Sequence, residues 1–155
     1  MGNLKLTSPA FSDGGEIPRE CGYKNGNLEP PLTISGTSMA TKCFALIMDD
    51  PDAMEPAGKV WVHWVVWNIP SPPYGGIEYT GVTLFKIKDQ PGCAEGITDF
   101  EEIGYNGPAP PDKKHTYIFK LYALDNTLDL YDDTKKADLE KAMEGHIIEQ
   151  TQLTG

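Results

Sequence analysis

The run KVWVHWVVWNI, residues 59–69, constrains the fold more than any other part of the chain. Valine and tryptophan dominate it, and both suit a pleated, buried surface better than a helix. Pro70 closes it. The expected outcome is a central strand. Alternation then puts Val60, Val62, Trp64 and Val66 on one face and Trp61, His63, Val65 and Trp67 on the other.

Two further segments read the same way. CFALIMDD, residues 43–50, is an apolar run ending in carboxylates, which predicts a buried strand. HTYIFKLYALD, residues 115–125, sets Thr116, Ile118, Lys120 and Tyr122 opposite His115, Tyr117, Phe119 and Leu121. Between these strong strands, residues 71–99 are punctuated by Gly and Pro, with one weaker strand expected at GVTLFKI. DDTKKADLEKAMEG reads as a short helix: Asp133 or Thr134 caps it, Leu139, Ala142 and Met143 form its apolar stripe, and Gly145 stops it. The tail HIIEQTQLTG is β-branched and weakly alternating, so a final strand is favoured over more helix.

At 155 residues the chain, 1–155, is the size of one domain and can bury a core without staples. Long non-polar strands, many turns and one late helix predict a mainly β fold, a sandwich-like arrangement with small helical decoration.

The formal charge of −10 excludes broad classes of partner. Binding a nucleic-acid duplex needs clustered Lys and Arg to displace counterions from phosphates. Here acidic residues outnumber basic ones 23 to 13, and Arg19 is the single arginine. Nucleic acid and anionic membrane surfaces are therefore not expected partners, although one anion can bind in a local pocket. No run is long and apolar enough to span a bilayer. The N-terminus lacks a signal-peptide core, and Leu6 stands where a myristoylation signal needs Ser or Thr. No Asn-x-Ser/Thr acceptor occurs. A cytoplasmic location is expected. Cys21, Cys43 and Cys93 are an odd number at wide spacing, with no CxxC pair, so reduced thiols are expected and a structural zinc site is not.

Two clusters carry chemistry. The first holds Asp49, Asp50, Asp52, Trp61 and His63. The second is GYNGPAPPDKKHTY, with Gly107, Ala109, Pro110, His115 and Tyr117. Each has an ordinary structural explanation: Asp-Pro-Asp makes turns by itself, and a strand histidine is often a satisfied polar group. A divalent metal held by Asp50, Asp52 and His63 is a weaker reading, because their spacing is generic. No GxSxG elbow exists, and neither cluster contains Ser or Cys, so nucleophilic catalysis is not indicated. Anion capture fits better. Two imidazoles and a tyrosine hydroxyl supply donors, Asp50 or Asp52 is expected to orient His63 and raise its pKa so that it donates to a bound oxyanion, and Trp61 gives an apolar wall. No cofactor motif is present.

At these residues the chain resembles the phosphatidylethanolamine-binding protein family, which includes the Raf kinase inhibitor proteins, and most of all its short bacterial and archaeal branch. The resemblance covers essentially the whole chain. LTSPAFSDGGEIP, NGNLEPPLTISG, ALIMDDPDA, VHWVVWNIP, DFEEIGYNGPAPP and HTYIFKLYALD carry it, in that order. It implies a large antiparallel sheet packed on a smaller one, a helix near the C-terminus, and a pocket at one end of the sheet for phosphate-type anions and phosphoryl head groups. It implies ligand-binding roles for Asp50, Asp52, Trp61, His63, Gly107, Ala109, Pro110, His115 and Tyr117. It also implies a cis bond near the acidic motif, expected at Asp50–Pro51. Ala109 and Thr116 depart from the family pattern, the latter standing where Arg is usual, and the longer C-terminal segment of eukaryotic members is missing.

The leading expectation is a non-enzymatic binding protein that holds a phosphorylated ligand and modulates a partner. Inhibition of a kinase or serine protease through loops such as NIPSPPYGGIEY is the alternative, and a metal-assisted hydrolase comes third. A homodimer is compatible with the tryptophan-rich strand.

Overall fold

The structure is a computed structural model that describes residues 4–37, 40–54, 58–70, 82–84, 93–109, 115–131 and 133–155. It is a mainly β architecture of two antiparallel sheets. The small sheet contains β1 (Lys5–Thr7), β2 (Leu32–Ser35) and β5 (Val82–Leu84), in the order β1-β2-β5. The large sheet contains β3 (Cys43–Asp50), β4 (Trp61–Pro70), β6 (Ala94–Glu95), β7 (Ile118–Leu124) and β8 (Ile147–Thr154), in the order β6-β4-β3-β7-β8. The single α-helix among the described residues, α1, spans Lys136–Met143.

β3 is buried at every position, because the large sheet is covered on both faces. One face meets the small sheet. Phe44, Leu46, Met48, Trp64, Val66, Ile69, Phe119 and Leu121 pack there against Leu6, Leu32 and Ile34. The other face lies under α1, where Ala45, Ile47, Val65, Trp67 and Leu124 meet Leu139 and Met143. Cys43 belongs to this second core as a small hydrophobe. All three cysteines are free thiols, and burial pushes Cys21 and Cys43 up to about 11 and Cys93 up to about 12.

The three strong strands and the final strand lie where periodicity puts them, but β4 departs from simple alternation. Met48 pairs with Trp64 while Asp49 pairs with Val62, which leaves His63 as the extra residue of a β-bulge. Val62 therefore joins Val65 and Trp67 on the helix side, and Trp64 joins Val66 on the inter-sheet side. A bulge re-aims side chains in this way, and no alternation pattern contains it.

Helix α1 is shorter than its predicted segment, and neither Asp133 nor Thr134 caps it. Lys135 is the N-cap residue, and its backbone N–H donates to Asp138 Oδ2 at 3.1 Å. Thr134 is instead buried against the sheet, where its carbonyl accepts from Ile97 N at 2.7 Å. Gly145, at φ +80°, terminates the segment as expected. Residues 85–87 of the predicted GVTLFKI strand and 71–79 of the NIPSPPYGGIEY loop lie outside the described residues. No helix among the described residues is long and apolar enough to cross a membrane.

Candidate ligand site

β3 and β4 end together, with Asp50 paired to Trp61 across the sheet. Beyond β3 the chain turns at once. Asp50 Oδ1 accepts from Asp52 N at 2.9 Å and starts the short 3-10 turn Pro51–Ala53. Proline at its first position is well suited, since that N–H has no helical partner. The Asp50–Pro51 bond is trans, and no cis bond occurs among the described residues, contrary to the expectation drawn from the resemblance. The Asx hydrogen bond and the proline make the turn with a trans bond.

The other oxygen of Asp50 reaches across to the segment entering β7. His115 Nδ1 donates to Asp50 Oδ2 at 2.6 Å. Asp50 is 3% exposed and His115 5%, so this pair is satisfied away from water. Asp52 lies outside it on the surface, where its Oδ2 accepts from Thr116 N at 2.8 Å. Both motif carboxylates thus hold the 115–116 backbone and ring in place.

Neither Asp50 nor Asp52 orients His63, contrary to the expectation from the sequence: a backbone carbonyl anchors the ring, and burial lowers its pKa instead of a carboxylate raising it. His63 Nδ1 lies 2.7 Å from the Asn106 carbonyl, and Asn106 N donates back to the His63 carbonyl at 2.9 Å. A carbonyl only accepts, so the neutral ring carries its proton on Nδ1, and Nε2 is then an acceptor. Burial lowers the His63 pKa below its ordinary 6.5, opposed by the Asn106 and Gly107 carbonyls and by the charges of Asp50 and Asp49. Tyr117 stands between the two imidazoles. Its ring centroid is 5.2 Å from that of His63, edge to face, and 6.3 Å from that of His115.

Gly107 has a specific steric role. A Cβ there would lie 1.9 Å from the Cys21 carbonyl oxygen, so only glycine permits this approach. Its N–H donates to Asn27 Oδ1 at 2.7 Å. Ala109 is half-buried just beyond, and Pro110 lies outside the described residues, as do Lys113 and Lys114. Asp49 turns away from the site. It faces α1, where Lys120 and Lys136 both donate to its Oδ2, at 3.2 and 2.8 Å.

A cleft of about 300 Å³ opens beside His115 and Tyr117. Pro108 and Gly155 border it, and Glu16, Ile17, Pro18, Arg19, Gly22 and Asn25 also line it. Among the described residues, His63, Asp50, Asp52 and Trp61 do not line it: Asp50 and His63 are buried, and Trp61 sits half-buried against Phe100. Within the same limits, no three His, Cys, Asp or Glu side chains converge to hold a metal ion.

Two parts of this site carry no sequence signal of their own. Phe100 is a ring hub, stacked on Tyr23 at 4.5 Å and set edge-on to Trp61 and His63 at 6.0 and 5.2 Å. It follows a loop without strand periodicity. The second part is the 18–28 segment, a wall tied to residues 105–108 by Tyr105 Oη donating to Cys21 O, Tyr23 N donating to Pro108 O, and Asn27 Nδ2 donating to Tyr105 O. Its Gly and Asn residues, with Asn27 at φ +52° and Gly26 at φ +121°, show a turn but not what the turn packs against.

The phosphatidylethanolamine-binding protein family model matches residues 7–155. A UPF0098 protein of Methanothermobacter thermautotrophicus is 41% identical over 152 residues, covering 98% of this chain and 97% of that protein. A UPF0098 protein of Pyrococcus horikoshii is 42% identical over 156 residues, covering 99% and 75%. Among solved structures, a Chlamydia trachomatis protein described as a candidate phosphatidylethanolamine-binding protein homologue superposes with a TM-score of 0.84 at 34% identity, covering 98% of this chain and 95% of that one. E. coli YbcL, described as a new member of the mammalian PEBP family, gives 0.83 at 29% identity, covering 99% and 96%. With its fold, its motif order and these relatives in agreement, the chain belongs to the phosphatidylethanolamine-binding protein family.

Proposed function

We propose that this protein is a non-enzymatic binding protein that holds a phosphate-type anion, a phosphoryl group on a small molecule or a partner protein, in the cleft beside His115 and Tyr117. The observation that carries this reading is the buried Asp50–His115 pair at 2.6 Å on the wall of a cleft of about 300 Å³. A carboxylate on Nδ1 holds the imidazole in one tautomer and orientation, and Nε2 donates to an oxyanion when the ring is protonated. Pro108 and the glycines beside it preform the wall, so little ordering is left for binding to pay.

His63 supports the site indirectly. It is buried, does not line the cleft, and packs edge to face against Tyr117, which does.

Titration calorimetry with inorganic phosphate and phosphoethanolamine, on the wild type and on His115→Ala, tests the proposal. Affinity is expected to rise as pH falls from about 8 to about 6, with net proton uptake on binding. His115→Ala is expected to weaken binding by at least about tenfold, the cost of one charge-assisted hydrogen bond. Absence of binding at millimolar ligand would overturn the reading.

A further inference from the structure

At about 300 Å³ the cleft is larger than one phosphate requires. One wall belongs to the proposed anion site, through His115, Tyr117 and Pro108. Arg19, the only arginine in a chain of net charge −10, lines the same cleft. Among the described residues the Arg19 guanidinium makes no ion pair and no hydrogen bond.

The turn that presents Arg19 is fixed. The Arg19 carbonyl accepts from Gly22 N at 2.9 Å, closing the short 3-10 turn Arg19–Cys21. Cys21 O accepts from Tyr105 Oη at 2.8 Å, and Gly107 packs directly on the same carbonyl. Tyr23 N donates to Pro108 O at 3.0 Å. The backbone under Arg19 is therefore locked to the segment whose Pro108 lines the cleft and whose Asn106 holds His63.

We infer that Arg19 is a specificity residue that pairs with a carboxylate on the bound ligand, so that the preferred ligand carries a phosphoryl group at one end and a free carboxylate at the other. Guanidinium presents a planar fork that matches a carboxylate in two parallel hydrogen bonds. The chemical class is a small phospho-carboxylate of the phosphoserine type. The inference rests on the anion-binding reading and adds the second recognition point to it.

O-phosphoserine and phosphoethanolamine differ by one carboxylate, so the pair isolates the contact. Wild-type protein is expected to bind O-phosphoserine roughly fivefold more tightly, the upper end for an ion pair with an exposed partner. Arg19→Gln is expected to abolish that gain while leaving affinity for inorganic phosphate and the thermal midpoint unchanged. Arg19→Lys is expected to recover part of it, and the gain should shrink as salt rises. A capped phosphoserine peptide, whose carboxyl is an amide, should bind like phosphoethanolamine. O-phosphoserine and glycerophosphoserine separate a free metabolite from a lipid head group: a gain with either carries the proposal, and the larger names the source. If phosphate and phosphoethanolamine bind but O-phosphoserine shows no gain, or if Arg19→Gln keeps it, this inference alone falls. If none of these ligands binds, the anion-binding reading falls with it.

Discussion

Asp50 and His115 stand 65 positions apart in the chain and meet at 2.6 Å, both buried. The contact exists because β3 and β7 are neighbours, with Asp49 paired to Ile118, so the last residue of β3 and the segment entering β7 meet at one end of the sheet. One carboxylate then does two jobs: Oδ1 starts the turn after β3, and Oδ2 orients the imidazole.

Asp50→Asn should expose this double role. The amide keeps the shape and loses the charge that holds His115. Unfolding by denaturant is expected to show a loss of about 2 kcal/mol, typical of a hydrogen bond to a charged group. That corresponds to a fall of roughly 4–8 °C in Tm for a chain of this size. Phosphate affinity should fall in parallel. Unchanged stability would mean that the pair does not contribute.

Gly107→Ala should be far more damaging than Gly145→Ala. A Cβ at 107 meets the Cys21 carbonyl at 1.9 Å, whereas nothing lies within 4 Å of a Cβ at 145. Overpacking against fixed backbone costs about 3 kcal/mol, while the positive φ at Gly145 costs about 1 kcal/mol. Thermal melts of the two variants test this order, and equal midpoints would contradict it.

His63 should make stability pH-dependent, with a defined sign. Its folded pKa lies below 6.5 because burial disfavours the charged ring. Its contribution is therefore complete above about 6.5, where neither state is protonated, and is lost as pH falls from there through the lower folded value. The stability difference between wild type and His63→Gln is expected to be larger at pH 7.5 than at pH 5.5. A difference that grows on acidification would reverse the assignment.

Asp49 marks a second, structural ion cluster on the far face of the sheet. It is 1% exposed and neutralised by Lys120 and Lys136, whose side chains are 32% and 23% exposed. Asp49→Ala is expected to cost about 2–3 kcal/mol, somewhat less than for a fully buried pair because both lysines can regain water. Lys136→Met alone should cost under about 1 kcal/mol, since Lys120 still neutralises Asp49. Neither change should alter phosphate affinity, because this cluster faces α1. A tenfold loss of binding in Asp49→Ala would show that the two faces are coupled.

Much of the architecture is legible along the chain because it is local. The runs around Ile47, Val65 and Phe119 are strands because β-branched and aromatic residues at period two suit a covered sheet. Leu139 and Met143 fall four residues apart and share one helix face. The order of the acidic, histidine and glycine–proline motifs was enough to indicate the family and to name the residues from Asp50 to Tyr117 as candidates. Which of these residues meet was a different matter. The bulge at His63, the turning of Asp49 towards α1, the trans bond before Pro51, the ring cluster around Phe100 and the placing of Arg19 in the same cleft as His115 have no local signature. Each depends on contacts between segments tens of residues apart, and periodicity reports which side of an element is covered, not what covers it.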